Sequence, residues 1–163
     1  MKGMLLSIGA LAVVLSLAVG LSSALAANHS TSRGVRVMVA NSGLGRILVD
    51  GRGRTLYLFE RDRHGKSACN GQCASFWPPL IASAKPLATA GAKAALLGTT
   101  KRPDGRLQVT YNHHPLYTFV KDTKRGQTNG EAVKAFGAEW SAVSAAGAKV
   151  KNDAMPGGYG YGY

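Results

Sequence analysis

The sequence predicts a small, mainly β domain made of two pseudo-symmetric units, and three observations predict it. The stretch Leu56-Tyr57-Leu58-Phe59-Glu60-Arg61-Asp62 returns sixty positions on as Leu116-Tyr117-Thr118-Phe119-Val120-Lys121-Asp122. Extended backwards without a gap, the register sets Gly45-Arg46 on Gly105-Arg106 and Val49 on Val109. Trp77-Pro78-Pro79-Leu80 and Trp140-Ser141-Ala142-Val143 then recur at an offset of sixty-three. Self-similarity at a fixed period is the signature of a repeated structural unit. Each unit reads as a hairpin, a variable loop and a Trp-anchored extended segment, the first over residues 45–82 and the second over 105–145 of one domain spanning 45–150, with a short helix in the connection between them.

In chain order, residues 1–26 read as a signal peptide: Lys2, an apolar run over 4–19, and the small-residue site Ala24-Leu25-Ala26, with cleavage expected before Ala27. The apolar run is shorter than the ~20 residues a spanning helix prefers, so no transmembrane segment is expected after cleavage. Residues 27–44 are a polar lead-in and a first strand, in which Val35, Val37 and Val39 alternate with Arg36, Met38 and Ala40. The first hairpin joins 45–49 to 55–60 around Asp50-Gly51-Arg52-Gly53, whose glycines tolerate positive φ. Residues 63–74 form a basic loop carrying both cysteines. Pro78 and Pro79 forbid a helix interior or central strand, so 77–81 is an extended edge segment. The Ala-rich stretch 90–97, closed by Gly98, is the predicted helix. Pro103-Asp104-Gly105 is a turn, and the second hairpin joins 106–111 to 115–121 through Asn112-His113-His114. Residues 131–136 are weakly helical; a full helix there would make the fold mixed α+β. The Gly- and Tyr-rich stretch 151–163 is low-complexity and expected to be disordered.

The 163-residue chain has a formal charge of +12, and the basic residues are spread along it rather than gathered in one tail. A field of that sign favours anionic envelope polymers or lipid headgroups. No nucleic-acid-binding motif accompanies the charge, so no specific nucleic acid is expected.

The motif Tyr57-x-Phe59-x-x-Asp62, its copy Tyr117-x-Phe119-x-x-Asp122, Cys69-x-x-x-Cys73, Trp77-Pro78-Pro79 and Gln108-Val109-Thr110-Tyr111 together resemble the bacterial "secreted repeat of unknown function" family of exported proteins and lipoproteins. The resemblance covers residues 45–150 and implies an exported, periplasmic or extracellular envelope protein, with no catalytic residues to carry over. The chain departs from the lipoprotein members in having no Cys at the cleavage site to accept a lipid.

Three constellations carry possible chemistry. Cys69 and Cys73, with Asn70-Gly71 turning the chain between them, suit a short disulfide loop in an exported protein. The alternative is a copper or zinc site in a metal-binding or electron-transfer protein, with both sulfurs and His64 or His113 as ligands. Tyr57, Phe59, Tyr117, Phe119, Trp77 and Trp140 read as core packing, with an aromatic binding face as the alternative. Asp62 and Asp122 follow equivalent strands, where a carboxylate caps backbone N–H groups of the next turn; the alternative is a pair of cation ligands. No phosphate loop, nucleophile elbow or His-Glu-x-x-His is present. The expectation is a monomeric, non-enzymatic, exported envelope protein without a cofactor, acting as a binding or structural module.

Overall fold

The computed structural model describes residues 34–150; the signal peptide expected at 1–26 and the Gly/Tyr-rich stretch 151–163 fall outside the described residues. The chain is mainly β. Strand β1 (Arg36–Ser42) turns through Gly43-Leu44 into β2 (Gly45–Asp50), and β3 (Tyr57–Phe59) follows. Helix α1 (Gln72–Phe76) precedes two short strands, β4 (Ile81–Ala82) and β5 (Leu87–Ala88). Then come β6 (Leu97–Lys101), β7 (Leu107–Tyr111), β8 (His114–Pro115), β9 (Val133–Ala135) and β10 (Ala138–Ala142). They form three small sheets, ordered β2-β1-β5, β3-β10-β9 and β4-β7-β6, with β8 on β7.

The repeats exchange strands instead of folding separately. Strand β3 of the first unit pairs with β10 of the second, Phe59 opposite Trp140. Strand β4 of the first pairs with β7 of the second, Ile81 opposite Gln108. At the centre Tyr57 N–H donates to Tyr117 O at 2.9 Å and Tyr117 N–H returns the bond to Tyr57 O at 3.0 Å, which marks a pseudo-twofold axis. Around it the bonds repeat: Val143 N–H to Leu56 O matches Leu80 N–H to Leu116 O, at 3.0 and 2.9 Å. The predicted hairpins are accordingly shorter than expected, because Leu56 keeps one bond to Leu48 before the strand leaves for the other repeat.

The gapless alignment fails at one place. Leu56 N–H bonds Leu48 O as Leu116 N–H bonds Val109 O, and Leu48 N–H bonds Val143 O as Val109 N–H bonds Leu80 O. Leu48, not Val49, is therefore the counterpart of Val109. The turn Pro103-Asp104-Gly105 is one residue longer than Gly43-Leu44, and the next turn is one shorter, so sequence identity on both sides hides a one-residue slip. The slip matters because it exchanges the two faces of a strand. In the observed register Leu48 and Val109 share one apolar cluster.

Two other expectations are corrected. Residues 90–97 are not a helix: only a 3-10 turn forms at Ala94–Leu96, and Leu97 starts a strand opposite Tyr111. Alanine propensity is a weak preference, and Ala90 and Gly91 both have positive φ, which stops a helix before it starts. The α-helix that does form is α1, inside the cysteine-bearing loop of the first repeat and not in the connection between the repeats. Residues 131–136 form β9 and a turn at Phe136-Gly137, both with positive φ, so the mixed α+β alternative does not hold.

Candidate functional site

The six aromatic residues read from the sequence as core packing are all buried, as are Leu56 and Leu116, but on two sides of the strands rather than in one core. Leu56 and Leu116 join Val37, Leu48, Leu58, Leu80, Val109 and Val143 in an aliphatic cluster. Tyr57, Phe59, Trp77, Tyr117, Phe119 and Trp140 form the other cluster with the cysteines. Alternation along the strand sends neighbours to opposite faces.

The aromatic cluster is a four-ring stack through the pseudo-axis. Phe59 stacks on Trp140 at 4.1 Å, Trp140 on Trp77 at 4.0 Å, and Trp77 on Phe119 at 4.1 Å. Tyr57 and Tyr117 meet Trp77 and Trp140 edge-on, with ring centroids 5.4 and 5.1 Å apart. Each repeat's Trp segment thus completes the stack by lying against the other's. These rings are enclosed and present no open binding face.

The motif acids are linked crosswise to the motif tyrosines. Tyr57 Oη donates to Asp122 Oδ2 at 2.6 Å, and Tyr117 Oη donates to Asp62 Oδ2 at 2.8 Å. The other carboxylate oxygen of each acid accepts a backbone N–H from the loop beyond it, Ala68 to Asp62 at 2.8 Å and Asn129 to Asp122 at 3.0 Å. Each acid therefore ties its own loop to the other repeat's tyrosine. Burial pushes the Asp62 carboxyl up to about 6, against the bonds from Ala68 and Tyr117 and the positive charges of Arg102 and Arg63. Burial also raises both phenols far above their ordinary range, aided by the adjacent carboxylates, so they act as donors. Asp62 edges a shallow depression of about 430 Å³ with Glu60, Arg63, His114 and Lys149.

Cys69 and Cys73 form a disulfide, with Cα atoms 5.2 Å apart, and both are buried beside the aromatic stack. Gly65 packs against the His113 carbonyl, so the turns that carry His64 and His113 touch. With both sulfurs joined, however, no group of three or more potential metal-ligating side chains exists among the described residues.

One residue of this centre was not singled out in the sequence. Arg102, 4 % exposed, donates from Nη1 to Ser67 Oγ at 2.8 Å and Gln108 Oε1 at 2.6 Å, and from Nη2 to Cys69 O at 2.8 Å and Asn70 Oδ1 at 2.9 Å. Its Nε has no hydrogen-bond partner and lies 3.7 Å from Asp104 Oδ2. The guanidinium clamps the disulfide loop of the first repeat onto the second. In sequence it stands in Lys101-Arg102-Pro103-Asp104 and reads as one more surface charge.

A family model described as "secreted repeat of unknown function" matches the chain twice, over residues 38–81 and 98–144. The chain belongs to this family. The secreted-repeat matches each begin one strand earlier than the repeated sequence motif, taking in β1 and β6, which hold equivalent places beside β2 and β7. As a member of a secreted family the protein is exported. No curated protein and no solved structure matches it. Among the described residues no helix is long and apolar enough to cross a membrane.

Proposed function

We propose that this secreted-repeat protein is a non-enzymatic module of the cell envelope or surface that binds anionic polymers or lipid headgroups. The observation that carries the reading is the disposition of charge. The formal charge is +12, and the acids of the described residues are largely engaged in the fold itself. Asp50 pairs with Arg54, Asp104 with Arg106 and Glu60 with Lys149. Asp62 and Asp122 hold tyrosines and loop amides, and Glu131 accepts the Ala142 N–H at 2.6 Å. The remaining arginines and lysines, apart from Arg102, stand mostly exposed, and their field is not compensated nearby.

Attraction of such a surface to a polyanion comes largely from counterion release and weakens steeply with salt. Titration of the exported chain against polyglutamate at about 50 and about 200 mM salt should show affinity falling at least tenfold. Binding that ignores salt, or no binding at low salt, rejects the proposal. The non-enzymatic part is supported by the motif acids' being occupied as loop and tyrosine acceptors.

A further inference from the structure

We infer that the turn between β2 and β3 is a phosphate-binding site, at which Arg36, Arg52 and Arg125 grip successive phosphate groups of an envelope polymer. This rests on the reading above and names its site and ligand class. Asp50 builds the turn: its Oδ1 accepts the N–H of Arg52 at 2.9 Å and of Arg54 at 3.0 Å. Its Oδ2 takes the Arg54 guanidinium, at 2.9 Å from Nε and 2.7 Å from Nη2. The one acid of the turn is thereby matched to Arg54, and Arg52 stands exposed at the crest without one.

Two further arginines reach the same turn from distant parts of the chain. Arg36 opens β1 and lays its side chain against Gly51, with Nε 3.4 Å from where a Cβ would stand. Arg125 comes from the second repeat, and its Nε lies 2.6 Å from the position of a Cβ on Gly53. Gly53 suits its φ of +82°, and the Arg125 guanidinium lies in the space that a side chain there would take. A bond from Gly126 N–H to Gly53 O, at 3.3 Å, fixes that loop to the turn. All three arginines are exposed, and none forms an ion pair among the described residues.

The residue type points to phosphate. A guanidinium offers two parallel N–H donors to two oxygens of one phosphate, whereas lysine acts as a point charge. A depression of about 380 Å³, with Met38, Ala40, Ile47 and Val49 lining it and Gly53 and Arg125 at its edge, leaves room for the spacer between phosphates. The second repeat has Asn112 and His113 at its shorter equivalent turn, so the arginine site occurs once.

The test uses the full exported chain and inorganic polyphosphate, with affinity followed across salt concentrations. The triple variant Arg36→Gln, Arg52→Gln, Arg125→Gln should lose at least tenfold at low salt, and its slope of log affinity against log salt should flatten by about 2. Lys85→Gln, Lys93→Gln, Lys101→Gln removes the same charge elsewhere on the surface and should cost less than threefold. Replacing the three arginines with lysine keeps the charge but not the fork, and should still lose most of the affinity. Equal losses from the arginine and lysine triples overturn the site while leaving general polyanion binding intact. Failure of the parent chain to bind polyphosphate or polyglutamate overturns both. Binding confined to vesicles of anionic phospholipid overturns the choice of a polymer as ligand.

Discussion

After Asp62 the first repeat closes its loop with a disulfide, a turn of helix and the Arg102 clamp; after Asp122 the second repeat fills the same place with Gly130 and the β9–β10 hairpin. The positions correspond closely. Ala68 N–H caps Asp62 as Asn129 N–H caps Asp122, and the residues that follow are Cys69 and Gly130. Cys69 brings a side chain into the aromatic cluster, whereas a Cβ on Gly130 would lie 2.8 Å from both Trp77 and Tyr57. The two loops do one job, which is to pin an acid beneath the other repeat's tyrosine. Residues on the pseudo-axis meet their own counterparts and stay equivalent; residues off it meet unlike partners and diverge.

The largest expected effect tests whether the axis is energetically as well as geometrically symmetric. Trp77 and Trp140 occupy the two inner places of the ring stack, so Trp77→Ala and Trp140→Ala should each cost about 3–5 kcal/mol. A loss of that size approaches the whole stability of a small domain. Urea denaturation of Trp77→Phe and Trp140→Phe gives the working comparison. Costs that agree within about 1 kcal/mol keep the symmetry, and a wider gap breaks it.

The parts on the axis were also the parts legible in the sequence. Tyr57, Phe59, Asp62 and their copies announced themselves by recurring, and Trp77 and Trp140 by sharing an offset. The crosswise partnership was not legible, because nothing local to Tyr57 says that its hydroxyl reaches Asp122 and not Asp62. Nor was the slip at Leu48 and Val109, since two compensating turn lengths leave both flanks in register. The helix was misplaced because Ala-rich 90–97 has the better intrinsic propensity, while α1 is made by the pairing of Cys69 with Cys73 and by Trp77 N–H bonding Cys73 O at 2.9 Å. Arg102 carried no signal at all, since a buried guanidinium is recognised only by the hydroxyl, carbonyl and side-chain amide oxygens that enclose it.

Next in size is the difference between the loops. The variant with Cys69→Ala and Cys73→Ala opens a small disulfide loop, and chain entropy alone predicts a loss of about 2 kcal/mol. Gly130→Ala attacks the same place in the other repeat by overpacking, which typically costs about 1–3 kcal/mol. Thermal melting of the two, with and without reductant, separates the mechanisms. Reductant should lower the Tm of the Gly130→Ala protein and leave that of the cysteine variant unchanged. A cysteine variant as stable as the parent would show that Arg102 and the Ala68–Asp62 bond suffice to hold the first loop.

The crosswise bonds come third, and here the repeats should differ. Tyr57→Phe removes the donor to Asp122 and the acceptor for Gly130 N–H, in a setting where Asp122 is only 4 % exposed. A buried acceptor left unpaired costs about 1–3 kcal/mol. Tyr117→Phe should cost roughly half of that, because Asp62 is more exposed and water can replace the phenol. Denaturant melts giving the reverse order would mean that the Ser67 and Arg102 network, not the carboxylate's burial, sets the value of the bond.

The smallest effect is the dependence of stability on pH through Asp62, and its sign separates burial from hydrogen bonding. The folded carboxyl titrates near 6, above its ordinary value of 3.8, so between those values the folded chain holds a proton that the unfolded chain has released. The stability contributed by this group is therefore complete below pH 3.8 and is lost as pH rises through about 6. Asp62→Asn keeps an acceptor for Ala68 N–H and removes the titration. The stability of the parent minus that of Asp62→Asn should then fall by about 1 kcal/mol across this window, a figure discounted for the partial exposure of Asp62. Subtracting the variant removes the other carboxylates, which titrate in both proteins. A difference that rises with pH would show that the bonds from Ala68 and Tyr117, with the charges of Arg102 and Arg63, outweigh desolvation. Asp62 would then be a charged cap that the fold stabilises, and Asp62→Asn would lose nearly as much stability as Asp62→Ala.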